Sequence, residues 1–185
     1  MLNLGIEDIA AWRYAEDINR AFLAWADQVP DRPFFALLNY MDVHDPYLPP
    51  EPYRSRFSPA AQSAGVINWR VHRDDPELDA AQLAAEAAAY DGGIAYVDEQ
   101  IRLLAGELES RGMLENTILV VTSDHGESFG EHGLLLHGNS LYHEQLHVPL
   151  MLVWPGHIPG GIRPEYPVSN ASLPATLLDL VQLEN

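Results

Sequence analysis

The sequence predicts an α/β fold in which a layered, mainly parallel sheet is flanked by helices. Three short apolar runs, rich in aromatic or β-branched residues, have the length and composition of buried strands: residues 33–43, 117–124 and 148–154. Segments with helical periodicity precede, separate and follow these runs. Strands that alternate with long helices are typical of layered α/β proteins.

The helices are predicted from the spacing of their apolar residues. A first amphipathic helix ends near Val29, because the following Pro30 disfavours helix in the residue before it. A long Ala- and Glu-rich helix is predicted from Leu78 to Arg111, with Gly112 as its stop. The segment LPATLLDL predicts a last helix. The apolar stripes of the first two helices are Ile9, Trp12, Ile18, Phe22 and Trp25, and then Ile94, Val97, Ile101, Leu104 and Leu108.

Composition limits the classes of function. The 185 residues carry a formal net charge of -17, with a pI near 4.6, so the molecule repels nucleic acids and anionic membrane surfaces. All ten basic residues are Arg, which excludes lysine nucleophiles, and there is no Cys to form a disulfide or a thiolate metal site. We expect residues 1–185 to form a single domain or part of one.

The chain shows no targeting signal of its own. Its first residues, MLNLGIEDIAAWRYAED, lack both a basic start and an uninterrupted apolar stretch, so they predict neither a signal peptide nor an anchor. No apolar run approaches the roughly 20 residues needed to span a bilayer. The sequence therefore leaves localisation open.

The polar, proline-rich residues 45–76 predict a long ordered loop of the kind that is usually functional.

Polar residues follow two of the predicted strands directly. The first group is Asp42-Val43-His44-Asp45-Pro46, and the second is Ser123-Asp124-His125-Gly126. Ligands of open α/β sheets bind beyond the carboxyl ends of the strands. A carboxylate oxygen and an imidazole nitrogen at one strand end can bind a divalent cation, and glycine permits a sharp turn there.

Four motifs resemble the sulfatase family of the alkaline phosphatase superfamily, and they occur in the order found in that family. They are NYMDVHDPYLPP, the helix-to-strand segment YDGGIAYVDEQIRLLAGELESRGMLENTILVVTSDHG, the region TSDHGESFGEHGLLLHG followed by VPLMLVWPG, and LPATLLDL. The resemblance covers roughly residues 33 to 180, and it implies an alkaline phosphatase-like fold.

The resemblance also implies roles for individual residues. Asp124 and His125 fall on two metal ligands, and His44 falls on a residue that contacts the sulfate or phosphate ester. His137 falls on a position, Lys or His in the family, that stabilises the anion or the leaving group. The implied cofactor is a divalent metal, calcium foremost, with manganese, magnesium or zinc as alternatives. The implied substrate is a small-molecule or glycan sulfate ester.

Two other interpretations stay open at this point. The DHG sequence, where many sulfatases have DNG, also occurs in phosphonate hydrolases and phosphoethanolamine transferases, so these reactions are alternatives. The family's nucleophile belongs to its amino-terminal part, and no counterpart is found in this sequence. We therefore expect a partial catalytic domain that does not turn over esters by itself. A non-catalytic or truncated fragment is the second alternative.

The remaining histidines are assigned from their context. His143 to His147 fit HExxH, a zinc-protease motif that requires a helix continuing through the second histidine. Pro149 and the apolar run that follows predict that any helix ends almost at His147, so a protease role is not favoured. We expect His132 to be exposed on the motif loop. The other two, His72 and His157, belong to no motif and are predicted to be surface residues.

Overall fold

The computed structural model describes residues 13–29, 32–65 and 78–183. The described chain divides into two compact units, Met1–Glu107 with Glu127–Asn139, and Leu108–Gly126 with Ser140–Asn185. The helices are α1 (Ala15–Ala26), α2 (Ala80–Ser110), α3 (His143–Leu146) and α4 (Leu173–Leu180), and the strands are β1 (Leu119–Thr122), β2 (Ser128–Phe129), β3 (Leu135–Leu136) and β4 (Leu150–Val153). Short 3-10 turns occupy Pro59–Ser63, Leu114–Asn116, Glu131–Gly133 and Asn170–Ser172.

Helix α1 confirms the first predicted helix over the residues that the structure describes. It ends at Ala26, shortly before Val29, whereas Ile9 and Trp12 lie outside the described residues. The fully buried positions are the small or polar ones, Ala15, Asn19 and Ala26, while Trp25 is exposed. Its indole packs edge-on against Phe34, with the ring centroids 5.4 Å apart.

A buried aspartate fixes the start of α1. The backbone N–H of Ala15 donates to both carboxylate oxygens of Asp42, at 3.2 and 3.1 Å, and so satisfies a donor that has no partner within the helix. Burial raises the pKa of Asp42 to about 6, against the lowering effect of these hydrogen bonds, and the nearby charge of Glu16 adds to the rise. The folded protein therefore binds the Asp42 proton more tightly than the unfolded chain does.

This elevated pKa predicts a pH-dependent stability. Because the folded-state pKa is above the unfolded value of 3.8, the stabilising contribution is fully present below pH 3.8 and is lost as the pH rises through about 6. Asp42→Asn keeps an acceptor oxygen for Ala15 without a charge. At pH 7 we expect this variant to have a Tm roughly 2–4 °C above the parent, the shift that ~1 kcal/mol produces in a chain of this size.

Thermal unfolding of the parent and of Asp42→Asn at pH 4, 5, 6 and 7 tests this prediction. The difference in Tm between the two proteins should grow with pH. A difference that is constant, or that favours the parent at pH 7, would contradict the assignment of this pH dependence to Asp42.

Residues 33–41 do not form the strand, buried on both faces, that the sequence predicts. The backbone is irregular, Phe35 and Leu37 are 81% and 83% exposed, and the half-buried residues are Phe34, Leu38, Tyr40 and Met41. In the part of the chain that the structure describes, no strand is hydrogen-bonded to this segment. The apolar composition indicates a segment that can be buried. A strand also needs a neighbouring strand to which it is hydrogen-bonded.

Helix α2 forms as predicted and ends at its glycine stop. Gly112 has φ +67°, and its N–H donates to the carbonyl of Glu109, while the N–H of Met113 donates to the carbonyl of Leu108, both at 2.9 Å. These hydrogen bonds and the left-handed glycine close the end of the helix. Of the predicted stripe, Leu104 and Leu108 are buried, whereas Ile94 is 44% exposed.

The first half of α2 packs on the core of the first unit. Two adjacent glycines allow the preceding chain to lie directly on the helix, since a Cβ at Gly93 would lie 2.7 Å from the carbonyl oxygen of Asp42, and one at Gly92 would lie 2.4 Å from that of Tyr53. The core beside them contains Tyr47, Ala61, Ala64 and Ala89, with Phe129 packed against it.

Both sheets in the described residues are two-stranded and antiparallel, so the predicted parallel arrangement is not found. Strand β1 pairs with β4, from Leu119 opposite Val153 to Thr122 opposite Leu150, and β2 pairs with β3. Parallel neighbours need a long crossover connection, usually a helix. Between β1 and β4 the only α-helix in the described chain has four residues.

Helix α4 confirms the predicted last helix. Within the described residues, none of the helices has the length and apolar character needed to cross a bilayer.

Candidate functional site

The second unit brings Asp124 and His125 together directly after β1. The Oδ1 atom of Asp124 lies 3.7 Å from Nε2 of His125, so the two side chains point to the same side of the chain. The Asp124 side chain is 89% exposed and that of His125 is 34% exposed. A carboxylate oxygen and an imidazole nitrogen are thus accessible next to each other at the end of a strand.

Local backbone contacts hold this pair in place. Nδ1 of His125 lies 2.9 Å from the carbonyl oxygen of Gly126, which accepts a hydrogen bond when Nδ1 carries the proton. Ser123 donates its hydroxyl proton to the carbonyl oxygen of His125, at 2.7 Å. The amide of Asn170 donates to the carbonyl of Ser123, at 2.9 Å, and so connects the turn to the segment before α4. Because the Gly126 carbonyl favours the tautomer with the proton on Nδ1, Nε2 of His125 keeps its lone pair.

This donor set fits a divalent cation. A metal-binding histidine in proteins commonly donates its second ring N–H to a backbone carbonyl, which is the arrangement of His125 and Gly126. The adjacent carboxylate supplies the hard oxygen that calcium, magnesium and manganese prefer, while the imidazole nitrogen also suits zinc and manganese. Asp124 and His125 are therefore the residues of the second unit that could hold a metal.

Gly126 allows a close approach between two segments of the second unit. A Cβ at this position would lie 2.0 Å from the carbonyl oxygen of Glu144, and the Gly126 N–H donates to the carbonyl of Gln145 at 2.8 Å. Gly126 does not have a positive φ. The glycine is thus needed for backbone contact, and not for the sharp turn that the sequence suggested.

The first unit brings His44 and His137 together. Their ring centroids are 5.0 Å apart and the ring planes meet at 71°, an edge-to-face contact. Nδ1 of His44 lies 2.8 Å from the carbonyl oxygen of Asp45 and 3.2 Å from its Oδ1 atom. Nδ1 of His137 lies 3.1 and 3.2 Å from the two carboxylate oxygens of Glu127. Each ring is therefore held through Nδ1.

Of the two carboxylates behind these histidines, Asp45 belongs to the strand-end group predicted from the sequence, whereas Glu127 was not predicted. The side chains of Asp45 and Glu127 are only 3% and 4% exposed, whereas the histidines are 33% and 22% exposed. Asp45 follows His44 in the chain, so adjacency was a usable signal for it. Glu127 is ten residues from His137 and reaches it only through the β2–β3 hairpin, which the sequence analysis did not predict.

The other histidines agree with the roles expected of them. Helix α3 ends at Leu146, and His147 is extended, with φ -84° and ψ 103°, so the HExxH sequence does not lie on a continuous helix. His132 is exposed within the 3-10 turn Glu131–Gly133, and His157 is exposed and stacks on Trp154 with ring centroids 4.0 Å apart. His72 lies outside the described residues.

An adjacent Asp–His pair after a strand, together with histidines held by carboxylates, provides groups that metal-dependent hydrolases use. The family model described as Sulfatase matches residues 11–183 of the chain. The chain therefore belongs to the sulfatase family.

Individual relatives agree with this membership. The chain is 28% identical over 171 residues to a choline-sulfatase of Rhizobium meliloti, covering 83% of this chain and 32% of that protein. It is 27% identical over 141 residues to an arylsulfatase of Clostridium perfringens, covering 70% and 29%. The structure is similar to a phosphonate monoester hydrolase from Silicibacter pomeroyi, with a TM-score of 0.77 and 26% identity over 93% of this chain and 39% of that one. The chain thus spans about a third of the length of these curated relatives.

Proposed function

We propose that this chain supplies the metal-binding and ester-binding side chains of a sulfate ester hydrolase. Membership of the sulfatase family supports the reaction class. The observation that carries the proposal is the convergence of Asp124 Oδ1 and His125 Nε2, 3.7 Å apart, immediately after β1. The substrate would be a small-molecule or glycan sulfate ester.

In this proposal Asp124 and His125 are ligands of one divalent ion, calcium foremost, with manganese, magnesium and zinc as alternatives. When bound, such an ion supplies Lewis-acid polarisation of the ester and stabilises the negative charge that develops in the transition state. His44 contacts the ester, and His137 assists departure of the leaving group through Nε2. The nucleophile and the further acidic ligands are expected from the amino-terminal region typical of the family.

Phosphonate monoester hydrolysis is the second candidate function. It is favoured by the structural similarity to the phosphonate monoester hydrolase from Silicibacter pomeroyi, at a TM-score of 0.77. Both reactions place an anionic ester beside a divalent cation, so the same four side chains can serve either one. Substrate comparison is therefore the decisive measurement.

The test is hydrolysis of 4-nitrophenyl sulfate and of a 4-nitrophenyl phosphonate monoester by the longest gene product that contains this sequence. Assays are run with calcium, with manganese and with EDTA. We expect the sulfate ester to have the higher kcat/KM and EDTA to abolish its turnover, since the metal is required for charge stabilisation. A higher kcat/KM for the phosphonate would replace the first function by the second, and metal-independent turnover would contradict both.

A further inference from the structure

We propose that Glu127 is a positioning residue for His137: it holds the Nδ1 proton of this ring and thereby presents Nε2 to the ester. The role of Nε2 rests on the proposed function, whereas the hydrogen bond itself can be measured without any turnover. Glu127 is distinct from the four side chains assigned to the metal and the ester.

The contact geometry supports this role. Both carboxylate oxygens of Glu127 lie at nearly equal distance from Nδ1 of His137, at 3.1 and 3.2 Å. A carboxylate can only accept a hydrogen bond, so Nδ1 must carry the proton. In a neutral imidazole the lone pair is then on Nε2, whereas in the protonated ring Nε2 carries the proton that can pass to the leaving oxygen while Glu127 balances the charge. The contact also restrains the plane of the ring, because the Nδ1–H bond lies in that plane and has to point toward the carboxylate.

Burial makes the interaction costly to lose. The Glu127 side chain is 4% exposed, and an ionised carboxylate without hydrogen-bond partners is strongly unfavourable in such a place. The Tyr47 hydroxyl is close enough to this carboxylate to be affected by its charge. The Tyr47 side chain is fully buried, and burial, followed by the charge of Glu127, raises the pKa of its hydroxyl. The Glu127 carboxylate thus lies in a buried place with Nδ1 of His137 within hydrogen-bond distance.

The surrounding packing keeps the carboxylate in place. Tyr47, Tyr90 and Phe129 contact one another with ring centroids 5.2 to 5.6 Å apart, next to the start of the β2–β3 hairpin. Glu127 precedes β2, and His137 follows β3. The antiparallel pairing of Ser128 with Leu136 therefore sets the two residues side by side. An analogous buried carboxylate behind a metal-binding or catalytic histidine usually contributes 10–100-fold to activity or metal affinity.

The first test reads the tautomer directly. Long-range 1H–15N correlation spectra are recorded at pH 8.5 on the chain labelled with 15N-histidine, and the signals of His137 are assigned by comparison with His137→Gln. We expect Nδ1 of His137 to be protonated in the parent. In Glu127→Ala we expect that the proton of His137 is no longer confined to Nδ1. Glu127→Gln retains an acceptor oxygen and should retain the proton on Nδ1.

The matched control is Glu131→Ala. Glu131 is an exposed carboxylate in the same loop that accepts from the N–H of Phe129 at 2.7 Å. This variant should leave the His137 signals unchanged. An unprotonated Nδ1 in the parent would overturn the proposal whether or not any variant folds, and so would an unchanged His137 state in a folded Glu127→Ala protein.

The second test is kinetic and uses the longest gene product that contains the sequence. We expect Glu127→Ala to lower kcat roughly 10–100-fold with little change in KM, and Glu127→Gln to recover part of the loss. If His137 has the expected tautomer but the parent hydrolyses no ester, the proposed function fails and the positioning role stands. If esters are hydrolysed and Glu127→Ala has the parent kcat, the positioning role fails and the proposed function stands.

Discussion

Replacing Asp124 with alanine should abolish metal-dependent ester hydrolysis, lowering kcat/KM by ~10³-fold or more, equivalent to about 4 kcal/mol of transition-state stabilisation. The carboxylate is the only oxygen ligand assigned to the ion within this chain, and the remaining partner, His125, is a single imidazole. A hard cation such as calcium binds poorly to one nitrogen. The side chain is 89% exposed, so its removal should leave the fold unchanged.

Activity is measured on the longest gene product that contains the sequence, and metal binding is measured by calorimetry with calcium and with manganese. Asp179→Ala is the matched control, because Asp179 is an exposed aspartate of the same unit, on helix α4. It should bind metal and turn over substrate like the parent. Unchanged metal affinity in Asp124→Ala would show that the ion binds elsewhere.

The candidate site could be predicted from the sequence because its residues are local. Asp124 and His125 are neighbours at the end of an apolar run, and their convergence requires only that β1 end before them. Helix α2 and its stop at Gly112 were predictable for the same reason, since helical periodicity and a left-handed glycine act over a few residues.

What could not be predicted depends on contacts between distant segments. The apolar residues 33–43 have the composition of a strand, but strand formation depends on a hydrogen-bonded neighbour, which composition does not specify. The antiparallel pairing of β1 with β4 likewise depends on the direction in which the chain between these strands returns to β1. Asp42 was grouped with His44 as a strand-end residue, yet its carboxylate accepts from Ala15, 27 positions earlier.

The same distinction applies to the histidines. The resemblance to the sulfatase family indicated His44 and His137, and the structure adds the carboxylates that hold them. A functional imidazole needs both an exposed nitrogen and a fixed one, and the second requirement is met by a buried acid. For His137 this acid is Glu127, which is placed by hairpin pairing and not by spacing along the chain.

Gly126→Ala should have the largest effect on stability of any substitution near the site, destabilising the protein by about 3 kcal/mol and lowering its Tm by roughly 6–12 °C. The added methyl group would lie 2.0 Å from the carbonyl oxygen of Glu144 and 3.1 Å from its carbonyl carbon. These are backbone atoms, so no side-chain rotation can relieve the overlap. The two segments must separate, and the 2.8 Å hydrogen bond from the Gly126 N–H to Gln145 is then lost or lengthened.

The displacement should also reach the proposed metal ligands, because Gly126 follows His125 directly and its carbonyl accepts the Nδ1 proton of that ring. We expect metal affinity to fall roughly 10–100-fold, as when the partner that orients a metal-binding histidine is removed. Thermal unfolding and calorimetric titration of the same preparation measure both effects.

The control is Gly106→Ala in helix α2, where a Cβ meets no atom within 4 Å. This control should gain about 0.5–1 kcal/mol, because alanine is the better helix former, and should bind metal like the parent. A Gly126→Ala protein with the parent Tm and metal affinity would mean that residues 126 and 144 are not in backbone contact, and that His125 is oriented by something other than this turn.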